Sequence, residues 1–317
     1  MKSNMAAERN IPYPMKLQKD LRWVWQNKDL YLLLMPAVAY IIIFKYVPIY
    51  GIVIAFKDFN PFKGIMGSPW VGFSHFAEFF NSFQFMRTLT NTLLLSMLEL
   101  IINFPVPIIL ALLLNQLFSR RYSRFIQVVL YSPHFISVVA LVGMMMAFLS
   151  PSSGIVNHII ELLGGEPINF FGASEYFRGM YILSGVWKNM GWNAVIYIAV
   201  LSGVSVDMHE AAVVDGASKL KRIVYIDLPI IMPTIVIMLI LAVGRIMSVG
   251  FEKAYLMQNN LNISVSEIIA TYVYKIGLQE ARYDYATAIG LFNNVINLVL
   301  ILTVNRIASK VNESSLW

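Results

Sequence analysis

Glu210-Ala211-Ala212-Val213-Val214-Asp215-Gly216-Ala217-Ser218, followed by Ile226-Asp227-Leu228-Pro229, is a polar interruption between two long apolar runs of a 317-residue chain. Ala211 and Ala212 give a helix surface almost no side-chain bulk, so a partner can approach its backbone closely. Gly216, flanked by Asp215 and Ala217, permits a bend that a Cβ would resist. Pro229 and Pro233 then set the angle at which the chain re-enters apolar sequence, because each lacks a backbone donor. The stretch predicts a short helix, an elbow and a second helix, with Glu210 anchoring the elbow.

The surrounding composition decides what the elbow belongs to. The chain is 58% hydrophobic and 13% charged, about half the charged share of a soluble domain. It has no cysteine, which excludes a disulfide framework and a thiolate metal site. The net charge of +6 is scattered among apolar segments rather than gathered on one face, which argues against a nucleic-acid partner.

A helix crossing a hydrocarbon core of about 30 Å needs about 20 mostly apolar residues. Six stretches qualify: 30–56, 88–117, 125–149, 179–203, 229–249 and 285–305. Lys45 and Pro48 end the membrane part of the first near Phe44. The segment 1–29, with six Lys or Arg together with Trp23 and Trp25, reads as a cytoplasmic tail. The apolar run from Leu30 is too long for a signal peptide, so no cleavage is expected. The membrane-spanning domain is then 30–305, with a short tail at 306–317. With both termini inside, cytoplasmic segments carry fourteen Lys or Arg and outer loops seven, leaving aside Lys45, Lys188 and Arg245 within spans. This asymmetry puts the elbow loop, 204–228, in the cytoplasm.

The outer loops collect Gly, Pro and aromatic residues. Loop 57–87 reads as a folded cap with a helix from Ser74 to Phe80 that Ser74 caps. Loop 150–178 reads as turns around one helix, and loop 250–284 holds a helix from Ser266 to Lys275. There is no internal repeat.

The register Glu-Ala-Ala, three residues, Gly, with Ile-x-Leu-Pro following, resembles the signature of membrane subunits of binding-protein-dependent ABC importers. From about 86 to 306 the chain is similar to the maltose-transporter-like carbohydrate permeases. The matching segments are Trp187 to Leu201, Glu210 to Pro229, Val249-Gly250-Phe251 with Ala254-Tyr255-Leu256, and Tyr283 to Ala288. Pro48 to Asp58 and the closing Ser314-Ser315-Leu316-Trp317 look like the branch associated with large or acidic oligosaccharides, such as alginate or pectin and rhamnogalacturonan fragments. Gln258-Asn259-Asn260 stands where many sugar permeases have Gly-Gly-Pro, a departure that agrees with that branch.

The resemblance implies an all-α, six-span type I permease in the cytoplasmic membrane that works by alternating access. It implies four kinds of partner: a second homologous permease, two ATPase subunits, an extracytoplasmic solute-binding protein and the oligosaccharide. Glu210, Ala211, Ala212, Asp215, Gly216, Ala217, Leu228 and Pro229 would dock on an ATPase. ATP and Mg would be held by those ATPase subunits, since this chain has no Gly-x-x-x-x-Gly-Lys-Ser/Thr loop, and it is expected to bind no cofactor and to catalyse nothing.

A sugar path combines amides with aromatic platforms. Span four offers Trp187, Lys188, Asn189, Trp192, Asn193 and Tyr197; span six offers Asn293, Asn294 and Asn297, although polar residues in spans also commonly bond neighbouring helices. Lys188 and Arg245 are the natural partners of a substrate carboxylate, with snorkelling as the alternative for each. Glu99 in span two is a third ionisable candidate for facing a cavity, with pairing to a residue of the sister permease as its alternative. Four histidines (His75, His134, His158 and His209) lie too far apart for a metal site or a triad, and His134 beside Pro133 reads as a kink residue. An ion-coupled secondary transporter or channel is the rival reading, and it would need a paired charge set near mid-membrane.

Overall fold

The computed structural model describes residue 23 and residues 25–312, apart from 118 and 249. The basic positions Lys2 to Arg22, the motif residue Val249 and the closing Ser314–Trp317 lie outside the described residues. Within them the chain is helical throughout, with no strand beyond a single antiparallel bridge between Lys57 and Trp70. Four helices are long and apolar enough to cross a membrane, and there are six if each of two sharply bent pairs counts once.

The first helix, α1 (Lys28–Ile41), continues through a π-helical segment, Ile42–Tyr46, into a 3-10 segment, Val47–Phe56. Helix therefore persists beyond Phe44, but α-type bonding ends at Ile41 and the 3-10 segment opens beside Pro48, which has no backbone donor. The second helix is longer than 88–117. It begins at α2 (Phe83–Leu98), where the Ser82 hydroxyl accepts from Phe85 N at 3.2 Å. It then passes through a π-helical turn, Glu99–Asn103, into α3 (Pro105–Asn115).

The stretch 125–149 is not one helix. α4 (Arg120–Tyr131) runs into a 3-10 turn, Ser132–Phe135, and α5 (Val138–Phe148) leaves at 95°. Pro133 opens that turn, and Ser137 starts a new helix by accepting from Ala140 N at 3.1 Å. The fourth apolar helix is α6 (Ser174–Leu201), and α7 (Val206–Val214) departs from it at 79°.

The fifth differs most from 229–249. It starts at Lys219, passes through a π-helical segment, Ile223–Asp227, and ends with α8 (Leu228–Val243), so Arg245 lies beyond the helix. In the loop after it, α9 (Phe251–Met257) is followed by a helix over Ile269–Tyr274 rather than from Ser266. Ser266 instead ends a short helix, Ile263–Ser266; Glu267 turns inward as a buried carboxylate between Arg87 and Lys275, the latter at 3.0 Å, and Thr271 starts the next helix by accepting from Ile268 N at 3.0 Å. The last helix, α10, covers Tyr283–Asn312.

At the end of the bundle that carries residues 57–82, the helix Ser74–Asn81 forms as expected, but Phe73 holds the N-cap position and no side chain caps it. Phe79 from this helix packs with Phe85, Tyr272, Tyr285 and Phe292, locking the cap to α2 and α10. At the opposite end Ile108, Ala111 and Leu112 of α3 close on Ala194, Tyr197 and Leu201 of α6 and Ile231 of α8. Small residues such as Ala111 and Ala194 let these helices approach closely, and the van der Waals packing that results fixes the three against one another where the elbow leaves the bundle.

Candidate docking elbow and translocation chamber

The elbow is built mostly from backbone. Ser205 accepts from Asp207 N at 3.2 Å and starts α7, which carries Glu210, Ala211 and Ala212. After Val214 the helix closes with Gly216 N donating to Val213 O at 3.0 Å and Ala217 N to Ala212 O at 2.8 Å. Gly216 makes this reversal at φ +73°, in the left-handed region, with no atom within 4 Å of where a Cβ would stand. Ser218 then caps the next turn by accepting from Lys221 N. Val206, Val213, Val214 and Tyr225 are exposed, Val214 at 87% and Tyr225 at 76%. An apolar knuckle of this kind marks a contact surface.

The tie that holds the knuckle is not Glu210, whose side chain is exposed. It is Asp227, fully buried at 0% exposure. Its carboxylate accepts from Asn115 Nδ2 at 3.2 Å and Gln116 Nε2 at 2.7 Å, and lies 3.1 Å from His209 Nε2. His209 comes from α7 and the amides from the end of α3, so one carboxylate joins the elbow, the second helix and the fifth. Asp227 stood inside the quoted motif and His209 beside it. The two amides that complete the cluster are more than 100 residues from Asp227, so no local spacing reveals it.

Deeper in the bundle the π-helical turn of the second helix directs Glu99 and Asn103 into two cavities of about 250 and about 230 Å³ that share Glu99, Asn103 and Asn193 in their walls. Asn189 lines one, and Arg245 and Ser248 line the other. A π-turn at such a point follows the tendency of these irregularities to sit at functional sites. Behind Glu99, Lys253 of α9 donates to Tyr181 O at 2.7 Å and sits 3.8 Å above the Tyr181 ring. Gly185 makes room for this group: a Cβ there would come within 3.0 Å of Asn103 Nδ2 and Lys253 Nζ and 3.9 Å from Glu99 Oε1. Asn103 and Ser248 lie in stretches legible only as apolar spans, and Lys253 in a stretch legible as an outer loop, so nothing in the sequence brings the three together.

Of the residues expected to line a sugar path, Asn189, Asn193 and Arg245 meet at the chamber. Lys188 does not: its ammonium donates to His134 O and Ile136 O, each at 2.6 Å, satisfying carbonyls freed where α4 and α5 break apart. Trp192 stacks face to face on His134 at 4.6 Å, which makes His134 part of that joint, and Trp187 is exposed on α6. Tyr197 is a core residue, 3% exposed among Ile108, Ala111 and Leu112. Asn293 and Asn297 bond the chain just after α8: Asn293 Nδ2 donates to Met247 O at 3.2 Å, and Asn297 accepts from Met247 N at 3.0 Å. They supply partners to backbone that left its helix. Asn294 lines a separate apolar groove with Ile52, Phe59 and Tyr283. Glu99 faces the chamber, one of the two readings open for it. Among the described residues no cluster of His, Asp and Glu is arranged to hold a metal.

A helical bundle with long apolar helices, polar cavities inside and a braced apolar knuckle at one end is the architecture of a membrane transport component. Residues 103–313 match the family described as binding-protein-dependent transport system inner membrane component, and the chain belongs to that family. It is 42% identical over 313 residues to Protein LplB of Bacillus subtilis (strain 168), covering 99% of this chain and 96% of that protein. It is 44% identical over 292 residues to the polygalacturonan/rhamnogalacturonan transport system permease protein YteP of the same organism, covering 92% and 91%. Among solved structures it is similar to a chain of a bacterial ABC transporter involved in the import of the acidic polysaccharide alginate. That match has a TM-score of 0.86 and 40% identity, over 94% of this chain and 99% of that one. A second structure, that alginate transporter type in complex with an alginate pentasaccharide-bound periplasmic protein, matches with TM-score 0.87 and 38% identity over 95% and 100%.

Proposed function

We propose that this chain is the six-span permease subunit of an ATP-driven importer of acidic oligosaccharides, such as alginate or pectin and rhamnogalacturonan oligomers, with both termini in the cytoplasm. The observation that carries the substrate class is likeness along nearly the whole chain to two permeases whose names specify acidic polysaccharides. The chamber agrees, since Arg245 offers a fork for a carboxylate and Asn103, Asn189 and Asn193 offer amides for hydroxyls.

The partners follow from the same reading. A second permease completes the path, a solute-binding protein delivers the sugar, and two ATPase subunits that hold ATP and Mg grip the two elbows. Closure of the ATPases displaces α7; the Asp227 tie passes that displacement to α3 and α8, and the chamber between α2, α6 and α8 changes its access. A ligand shifts such an equilibrium only by binding its two states unequally, so the exposed knuckle meets the ATPase differently in the two states. The positive-inside asymmetry supports the orientation.

The test is reconstitution of the chain with its permease partner, ATPase pair and binding protein in liposomes. Binding protein loaded with an oligogalacturonate is expected to stimulate ATP hydrolysis and uptake together. Uptake driven by an ion gradient with no ATPase present would overturn the assignment in favour of a secondary transporter.

A further inference from the structure

A cavity of about 710 Å³ lies between the elbow and the bundle, separate from the chamber, with walls from the end of α3, the start of α4, the end of α6, α7 and the turn Lys219–Arg222. Arg124, Arg222 and His209 line it, with Ser123 and Gln127 beside them, and among the described residues no Asp or Glu does. The nearest carboxylate of the elbow, Asp227, is already engaged by Asn115, Gln116 and His209. Among the described residues neither guanidinium makes an ion pair, and Arg222 Nε is buried without a hydrogen-bond partner. With no acidic partner among the described residues paired to either guanidinium, their charge is left to be met by an anion in the cavity. The rest of the wall is apolar, including Leu117, Ile198 and Val204.

We propose that this pocket binds a phosphate-bearing anion, with the phosphate between Arg222 and Arg124 and the organic part of the ligand against Leu117, Ile198 and Val204. A planar guanidinium matches phosphate oxygens in paired hydrogen bonds. A basic pocket with an apolar wall at the end of a helical bundle suits an anionic lipid headgroup, and a soluble phosphate offers the same chemistry. The cavity volume falls in the range of about 300–1,000 Å³ that accommodates a sizeable organic ligand. Because α7 forms one wall, the bound anion braces the elbow against the bundle and strengthens its coupling to the motor. This last consequence rests on the proposed function; the binding does not.

Binding is therefore measured first, without sugar or nucleotide, on the assembled importer in nanodiscs of phosphatidylcholine with or without phosphatidylglycerol. Native mass spectrometry counts the phosphatidylglycerol that survives detergent exchange, and inorganic phosphate is titrated into the phosphatidylcholine sample. The expected result is a retained phosphatidylglycerol, or saturable phosphate binding, that falls about tenfold or more in both Arg222→Gln and Arg124→Gln, the scale of one charge-assisted hydrogen bond. Arg124 is exposed on α4, so its replacement leaves the fold intact if Arg222→Gln does not. Retention confined to phosphatidylglycerol identifies a lipid, and phosphate binding identifies a soluble ligand. Equal retention by the wild type and both variants with no phosphate binding overturns the proposal, as does shielding of an Arg124→Cys label by the ATPase alone, whichever anion is present.

Discussion

At the elbow the working surface is backbone and small or apolar side chains, and the polar group that supports it is hidden; in the chamber the polar side chains face the cavity and buried contacts support them from behind. Gly216, Ala211 and Ala212 offer shape outside, while Asp227 holds them from inside through two amides and an imidazole. Glu99, Asn103 and Asn193 offer hydrogen bonds inside, and Lys253, Tyr181 and Gly185 hold that face from behind. On the proposed function, the difference separates a place suited to force from a place suited to selectivity. A lever needs a rigid root and a featureless grip, whereas a passage needs exposed polar groups on a root that cannot move them.

The largest effect is expected where the lever meets its root. Asp227→Ala leaves two amide donors and an imidazole facing an empty buried site, a loss of about 3–5 kcal/mol by analogy with broken buried charge networks. Reduced thermal stability of the purified subunit and an order-of-magnitude loss of coupled uptake are expected together, with Asp227→Asn intermediate because one acceptor survives. A stable, active Ala variant would show that α7 is held by something else.

Gly216→Leu comes next and separates stability from coupling. The left-handed conformation costs an L-residue about 1–2 kcal/mol, and there is open space around the position, so the bundle still folds. Uptake is expected to fall more than tenfold while ATP hydrolysis by the assembled complex persists. Equal loss of both activities would mean that the bend serves assembly rather than transmission.

This contrast also explains what could be read in advance. The elbow was legible because its information is local: Ser205 to Pro229 contains its caps, its bend and the restart of the helix. The apolar runs were legible as well, but Pro133 and Ser137 turned one of them into two helices, and the fifth helix begins near Lys219, ahead of its apolar stretch. The chamber was only half legible, since polarity within a span does not reveal what it faces. Asn193 meets a cavity, whereas Asn297, with the same chemistry, meets a backbone amide. Lys188 looked like a ligand for a carboxylate because no spacing discloses that the chain breaks beside it and frees two carbonyls.

Two cations sharpen that distinction. Arg245→Ala is expected to reduce uptake of an acidic oligomer about tenfold, the scale of one charge-assisted hydrogen bond, and to spare a neutral oligomer of equal length. Lys188→Met removes a donor from His134 O and Ile136 O and is expected to weaken uptake of both oligomers alike, by a few fold, through the loosened joint between α4 and α5. If the two variants exchanged these patterns, the carboxylate partner would be Lys188 and the cavity beside Arg245 would lie off the path.

The smallest effect is assigned to Tyr197→Phe, and its smallness is informative. A tyrosine one and a half turns from Trp192 reads as a stacking platform for a sugar ring, yet its ring is packed among Ile108, Ala111 and Leu112 where α3 and α6 close. Removing the hydroxyl leaves that packing in place, so stability is expected to change by less than about 1 kcal/mol, with the KM for uptake unaltered. A raised KM with unchanged stability would mean that alternating access parts α3 from α6 and turns Tyr197 towards the passage, so the apolar seal at the elbow end would itself be the inner gate.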